Sequence, residues 1–560
     1  MKQTYKENRV ACWMGALIVI TLLAGTRIVL AGNDTADEAA ATVRPEAIRA
    51  DMRFLADDLL EGRGTGTRGH EIAAKFMASE FEAMGLEPAG DNGSYFQSVP
   101  LRAIEPDQGH STLSLWHGGK EQVLIFGQDF ISLADPGRTE VSVEARVVYV
   151  GFGVTAPEQS YDDYAGMDVK GRIVAFVSGA PPQFEPTMRA HYSSGAMKAA
   201  NAVAHGAVGA IVLNTPAMEQ IHPFKERVSD LAFPDMRWLD TRGQPNDYFP
   251  ELRGAVFLSM EATASVFQGS GKSLEEIFAA TKEGKPSPMA LPVTAKIKAV
   301  SKFRDLHSPN VVARVTGSDP KLRDEYVVYT AHLDHLGIGQ PVNGDRIYNG
   351  ALDNASGSAC LLEIARAYSR MQPRPRRSIL FVSVTAEEAG LLGSDYFANY
   401  PTARKDRLIA DINIDGNLAL LWPIEDVVAR GSEHSTLGIA VREAAARLNL
   451  DVSPDPFPEL VFFIRSDQYS FVKQGIPSVF PSVGTKSSDP NIQPQQIIAK
   501  WRQTTYHKPQ DDMNQPFDFE SGAKYARYNL FLGYLVAQKT EKPAWNPGDF
   551  FGEHYAKKAN

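Results

Sequence analysis

Apolar residues recur along this chain with two different periods. In "VRPEAIRADMRFLADDLLEGR" (Val43–Arg63) and "GHEIAAKFMASEFEAMGLEPAG" (Gly69–Gly90) they return every three or four positions, which predicts helices across the Arg44–Gly85 region. From about Glu140 the texture changes. "VSVEARVVYVGFGV" and "KGRIVAFVSG" read as short strands, "SGAMKAANAVAHGA" as a helix and "VGAIVLN" as another strand. A third texture begins near Leu291. "SPNVVARVTG", "EYVVYTAHLDH", "RSILFVSVTAEE" and "RLIADINIDGN" are apolar, β-branched runs with helical text between some of them. That alternation predicts an α/β domain whose sheet is at least partly parallel. The proline-rich "QPRPRRS" (Gln372–Ser378) is a loop entering a strand rather than a linker, and no long repeat or low-complexity tract is present.

At 560 residues the chain exceeds one comfortable hydrophobic core, so two domains, or one domain with a large insertion, are expected. The net charge of −10 is mild for this length and argues against a nucleic-acid partner, which requires a basic face. The N-terminal text refines this picture. "MKQTYKENR" is basic, "VACWMGALIVITLLAG" is an apolar run of signal-peptide length, and "VLA" before Gly32 offers small residues for cleavage. Residues 1–31 therefore read as a signal peptide and the protein as exported, periplasmic or extracellular. An uncleaved N-terminal anchor is the alternative and would be the sole membrane contact; Arg27 interrupts the apolar run and disfavours it. Cys12 falls inside that run, which leaves Cys360 alone in the mature chain. No internal disulfide can then form, so a large core or bound metal must provide the stability.

Polar residues gather where the strands of the third block end. "YTAHLDHLGIG" carries His332 and Asp334, and "NGALDNASGSACLLEIARAYSR" places Asp353 just before a helix. "FVSVTAEEAGLLGS" ends a buried strand on two carboxylates, Glu387 and Glu388; "ADINIDGN" adds Asp415, and "TTYHKPQDDM" supplies Tyr506, His507 and Asp511. Singly, each has a plain structural reading. A lone histidine is usually a hydrogen-bonded core residue, "EE" a solvated helix start, and "DNASGS" an N-cap or turn. Together they are hard to explain that way, because burying adjacent carboxylates is costly unless they are paired or bound to metal. Ligands of open α/β sheets bind beyond the carboxyl ends of the strands, where distant side chains converge. Mixed His and carboxylate donors without cysteine suit catalytic zinc with open positions.

The segments "AHLDHLG", "NGALDNASGSA", "TAEEAGLLGS", "INIDGN", "RSDQYSFVKQGIP" and "YHKPQDD" resemble, in order, those of the co-catalytic zinc aminopeptidases, a family that includes bacterial leucyl aminopeptidase and glutamate carboxypeptidase. The resemblance covers Leu291–Phe519, and Arg44–Pro100 resembles the N-terminal part of the same catalytic domain. It implies a zinc exopeptidase-type fold, a mixed and largely parallel sheet flanked by helices. The text from Glu140 to Pro288 resembles an inserted protease-associated domain. The expected organisation is residues 40–138 as the first catalytic segment, 139–289 as the insert and 290–545 as the remaining catalytic domain.

Carried over by position, the resemblance implies two zinc ions bridged by Asp353, with an attacking hydroxide between them. His332 and Asp415 would complete one site, Glu388 and His507 the other. Glu387 would be the general base and Tyr506 a donor to the oxyanion. Asp334, two residues from His332 on an extended chain, would orient that ring; Asp467 and Asp511 are further supporting carboxylates, and His335 would face away as a structural residue. The bond after the bridging aspartate is cis in relatives, which implies the same for Asp353–Asn354. "ALDN" departs from relatives that carry two acidic residues before the Asn, so Leu352 should affect packing alone. The reading that follows is an exported dizinc aminopeptidase acting on peptides. A carboxypeptidase or dipeptidase of the same fold is the nearest rival, with Arg465 as a candidate partner for a substrate carboxylate. A glutaminyl cyclase, which lacks the full ligand set, and a non-catalytic receptor-like protein follow. Side-chain preference and oligomeric state stay open.

Overall fold

A computed structural model describes residues 34–556. The expected signal segment lies outside the described residues. Among these residues, no helix is long and apolar enough to cross a membrane.

The larger sheet is mixed. Its strands run in the spatial order Asp235–Trp238, Phe96–Pro106, Met289–Val315, Ser378–Val384, Tyr326–His332, Leu408–Asn413, Ser478–Val483, Asp426–Arg430 and Asp451–Val452. The middle four, Ser378–Val384 to Ser478–Val483, are mutually parallel, and antiparallel neighbours close both sides. Every residue of "SILFVSV" (Ser378–Val384) is buried. Such a run lacks hydrophobic alternation because both faces of the sheet are covered. On one face Ile379, Phe381, Ile412 and Tyr329 join a core built with helices Pro45–Leu55, Arg68–Ala83, Ser356–Arg370, Leu437–Arg447 and Phe519–Gln538. On the other, Leu380, Val382 and Val328 pack with Phe397 and Phe471 from the shorter helices Leu392–Asn399 and Gln468–Val472. The N-terminal helices thus share one core with the strands that follow the insert.

A second sheet has its own core around Ile173, Ile211, Val256 and Ile297. Strands Glu140–Tyr149, Ile173–Val177, Gly209–Leu213 and Ala255–Leu258 form its parallel centre. Strands Thr112–His117 and Lys120–Leu124, and Phe130–Leu133, also join this sheet, although they precede the expected boundary at residue 139. The 27-residue strand Met289–Val315 runs through both sheets: residues 293–298 pair with Thr112–His117 and residues 301–311 with Phe96–Pro106. No turn residue marks that passage, so the texture change near Leu291 is a change of sheet partner within one strand.

Candidate metal centre

All four central parallel strands end at one edge of the larger sheet, and His332, Glu387, Glu388 and Asp415 stand on or just beyond those ends. His332 is the last residue of its strand. Glu387 and Glu388 follow Ser378–Val384 after Ala386, whose φ of 55° turns the chain sharply at the strand exit. Asp415 lies two residues past Leu408–Asn413. Asp353 sits in the irregular turn Ala351–Ala355 that feeds helix Ser356–Arg370, and the Asp353–Asn354 bond is cis. His507 (φ 55°) follows helix Pro494–Thr504.

These side chains meet in two groups that share Asp353. His332 Nε2 is 3.2 Å from Asp353 Oδ1 and 3.2 Å from Asp415 Oδ1. His507 Nε2 is 3.2 Å from Asp353 Oδ2 and 3.2 Å from Glu388 Oε2. A four-coordinate zinc with ligands at about 2.0–2.1 Å has ligand–ligand edges of roughly 3.3–3.4 Å. These four His–carboxylate edges stand at about that spacing, so the residues fit metal ligation, with Asp353 facing His332 through one oxygen and His507 through the other. Asp415 Oδ2 accepts a 2.6 Å hydrogen bond from Ser466 Oγ, which leaves Oδ1 turned to His332.

The electrostatics also suit cations. Burial works against charge on His507, but Glu388 and Asp353 outweigh it and lift the imidazole to about 10. Burial likewise opposes ionisation of Glu388, yet His507 and His335 bring its carboxyl down to about 2. Burial pushes the Glu387 carboxyl well above its usual range; His332 opposes this and Glu388 and Asp415 reinforce it.

The supporting residues have defined tasks. Asp334 is fully buried and accepts hydrogen bonds from the backbone N–H groups of Glu387 (3.1 Å) and Glu388 (3.3 Å) and from Thr65 Oγ1 (3.1 Å). Its carboxylate therefore fixes the paired glutamates, whereas its backbone carbonyl, 3.1 Å from His332 Nδ1, holds that ring. The expectation that the carboxylate orients His332 is corrected accordingly: the chain bends after His332 instead of staying extended. Asp511 accepts from Leu352 N and Asp353 N, both at 3.0 Å, and so anchors the turn carrying Asp353. Asp467 is fully buried close behind the site, where burial raises its carboxyl to about 7. Tyr506 stacks on the His507 ring at 3.8 Å between centroids, and burial and the surrounding carboxylates keep its phenol protonated.

Two contributors were not expected. His335 does not face away: its Nδ1 is 2.7 Å from Glu388 Oε1, and His335, Asp353 and Glu388 form a donor group able to hold an ion. Strand alternation fails as a guide because the strand ends at His332 and His335 bridges instead to Gly64. Arg63 is the other. Buried at 1% exposure, it donates to the carbonyls of Leu333 (2.8 Å), Asn349 (2.6 Å) and Gly350 (2.9 Å), tying the His332 strand exit to the loop before Asp353. Nothing in "LLEGRG" distinguishes it from a surface arginine.

Beside the cluster lies a cavity of about 140 Å³. Asp353, Glu387, Asp415, Tyr506 and His507 form one end; Leu418, Phe457, Phe462, Phe480, Ile498 and Trp501 give the rest an apolar lining, with Arg465 exposed at the margin.

Fold and side chains together define an α/β protein with a paired His–carboxylate centre at the carboxyl edge of a largely parallel sheet. Residues 310–530 match Peptidase family M28 and residues 143–249, between the two catalytic segments expected from the sequence, match the PA domain. The aminopeptidase NAALADL1 of Rattus norvegicus is 34% identical over 126 residues, 21% of this chain and 15% of that protein. Leucine aminopeptidase 2 of Arthroderma otae is 26% identical over 222 residues, 39% of this chain and 40% of that protein. These matches therefore span less than half the length of either relative. Among solved structures, an aminopeptidase from Aneurinibacillus sp. strain AM-1 shares the fold, with a TM-score of 0.51 at 19% identity over 92% of this chain and 99% of that one.

Proposed function

We propose that this chain is an exported zinc aminopeptidase that removes the N-terminal residue from peptides. One observation carries the reading: two donor groups share Asp353 and open directly onto a small cavity with a largely apolar wall. A cavity of about 150 Å³ lined by Leu, Ile and Phe admits a single benzene-sized group. The space beside Glu387 is thus of a size to take one side chain, which suits an exopeptidase. Carboxylates at the cavity mouth, Glu387 and Asp415, suit a free α-ammonium.

His332, Asp353 and Asp415 would hold one zinc ion, and Asp353, Glu388 and His507 the other. Metal ions so placed supply Lewis acidity toward the scissile carbonyl and a nucleophile at neutral pH. Glu387 takes the proton that the attacking water gives up and returns it to the departing amine. Asp334 holds the backbone of both glutamates, so base and ligand keep a fixed separation. Tyr506 lines the same cavity, and its phenol would donate to the carbonyl oxygen as charge develops. The insert (139–289) is read as a separate protease-associated domain between two catalytic segments. The basic and apolar N-terminal text supports export.

Arg465 at the cavity margin favours a carboxypeptidase as the second reading. Aminoacyl anilides, their N-acetylated counterparts and C-terminally free acyl-peptides, each assayed with and without a chelator, separate the two. Chelator-sensitive cleavage of free-amino substrates alone is expected; equal cleavage of blocked ones would overturn the proposal.

A further inference from the structure

The wall of the apolar cavity rests on a part of the chain remote from the metal cluster. Phe462 forms that wall, with the guanidinium groups of Arg430 and Arg502 over its ring at 4.8 and 5.4 Å. The next residue, Phe463, turns the other way and is buried. Its ring lies against Gly431, where a Cβ would come within 2.2 Å of it, so the ring occupies space that only glycine leaves open. From behind, Phe463 is held by His434, stacked at 5.0 Å, and by Phe551, at 5.5 Å. Phe551 is fully buried and belongs to the C-terminal strap.

That strap is itself firmly attached. Trp545 Nε1 donates to Gly475 O at 2.9 Å, Asn546 N donates to His434 O at 2.9 Å, and Asp549 Oδ2 is 2.6 Å from His434 Nδ1. The carbonyl of Phe463 accepts from Gln468 Nε2 at 2.7 Å, and Gln468 Oε1 accepts from Asn413 Nδ2 at 2.8 Å. The same Asn413 amide donates to Ser466 Oγ, the group bonded to Asp415. The loop that walls the cavity is therefore fixed on its metal side by Ser466 and Gln468, and on its far side by the strap.

We infer that Phe551 and Asp549 are positioning residues for substrate selection: through Phe463 and His434 they hold Phe462 where it closes the cavity around the first side chain of the substrate. This rests on the aminopeptidase reading. Without Phe551 the 462–464 segment can relax into the vacated volume, and the cavity loses its fit to a ring-sized side chain while the metal-side contacts persist. A small first side chain, which never reaches Phe462, should not register the change.

The test uses the full chain with Phe551→Ala, Phe551→Leu and Asp549→Asn, and two probes, the p-nitroanilides of phenylalanine and alanine. Phe551→Ala should raise KM for the phenylalanine substrate about tenfold with kcat within twofold, and leave both constants for the alanine substrate within twofold. Phe551→Leu should recover most of the loss, because a leucine refills much of the volume. Asp549→Asn should move KM in the same direction and serves as the probe if Phe551→Ala does not fold. Equal effects on both substrates, as simple loss of folded enzyme would give, overturn the inference while the activity stands; unchanged KM ratios do the same. Wild-type protein that cleaves neither substrate overturns the aminopeptidase reading and this inference with it.

Discussion

Glu387 and Glu388 are neighbours of the same chemical type, and the proposed function gives them different work. Glu388 is engaged at both oxygens, Oε1 at 2.7 Å from His335 Nδ1 and Oε2 at 3.2 Å from His507 Nε2. Glu387 lines the cavity, and its position is set through its backbone N–H on Asp334. Glu387→Gln preserves that backbone contact and the side-chain volume, so both metal positions and substrate binding should survive. Turnover should fall by about 10²–10⁴, the usual contribution of a positioned proton-transfer group, equivalent to roughly 3–5 kcal/mol of barrier. Glu388→Gln puts an amide between two imidazoles. An amide is a poorer metal donor than a carboxylate, and its NH2 cannot accept from either ring. Metal content should drop toward one ion per chain, and added zinc should partly restore activity, which it should not do for Glu387→Gln. Metal analysis by mass spectrometry on dialysed variants, beside steady-state kinetics with and without zinc, measures both. If Glu387→Gln loses metal while Glu388→Gln retains two ions, the roles are reversed and the reasoning fails.

Two further outcomes follow from buried groups. Asp334→Asn keeps the volume but turns an NH2 toward one of three donors that the carboxylate satisfies, so stability should fall by about 1.5–3 kcal/mol, the value of a hydrogen bond to a charged group, and kcat should fall with it; an unchanged denaturation midpoint would contradict this. His70 is fully buried, and burial outweighs its contact with Pro309 O and depresses it to about 4 from an ordinary 6.5. Because the unfolded chain then binds the proton more tightly, stability is full above pH 6.5 and declines as pH falls toward 4, by about 2 kcal/mol between pH 7 and 5. His70→Gln should remove that part of the pH slope in urea titrations, and an unaltered slope would refute the assignment.

The sequence by itself determined the class of fold and the inventory of the candidate centre. Continuous apolar runs such as "SILFVSV" require a sheet covered on both faces, and carboxylates placed just where such strands end have few uses besides metal or proton chemistry. His332, Glu388 and Asp415 were legible for that reason, Asp353 and His507 through the resemblance of their segments, and the geometry brings each histidine within 3.2 Å of two of the carboxylates. Tertiary structure alone decided the rest. Side-chain alternation holds only while a strand stays in its ladder, so the direction of His335 and the partners of Asp334 depended on a bend after His332 that no local pattern encodes. Arg63 looks like any surface cation until three carbonyls from distant loops close around it. The strands between Thr112 and Leu133 choose the second sheet through pairing with Met289–Val315 and Ala255–Leu258, more than a hundred residues away. The cavity wall likewise rests on contacts from afar, Phe551 packing behind Phe463 from near the chain's end. Local sequence fixes what each segment can become; contacts between segments far apart in sequence fix where its side chains point.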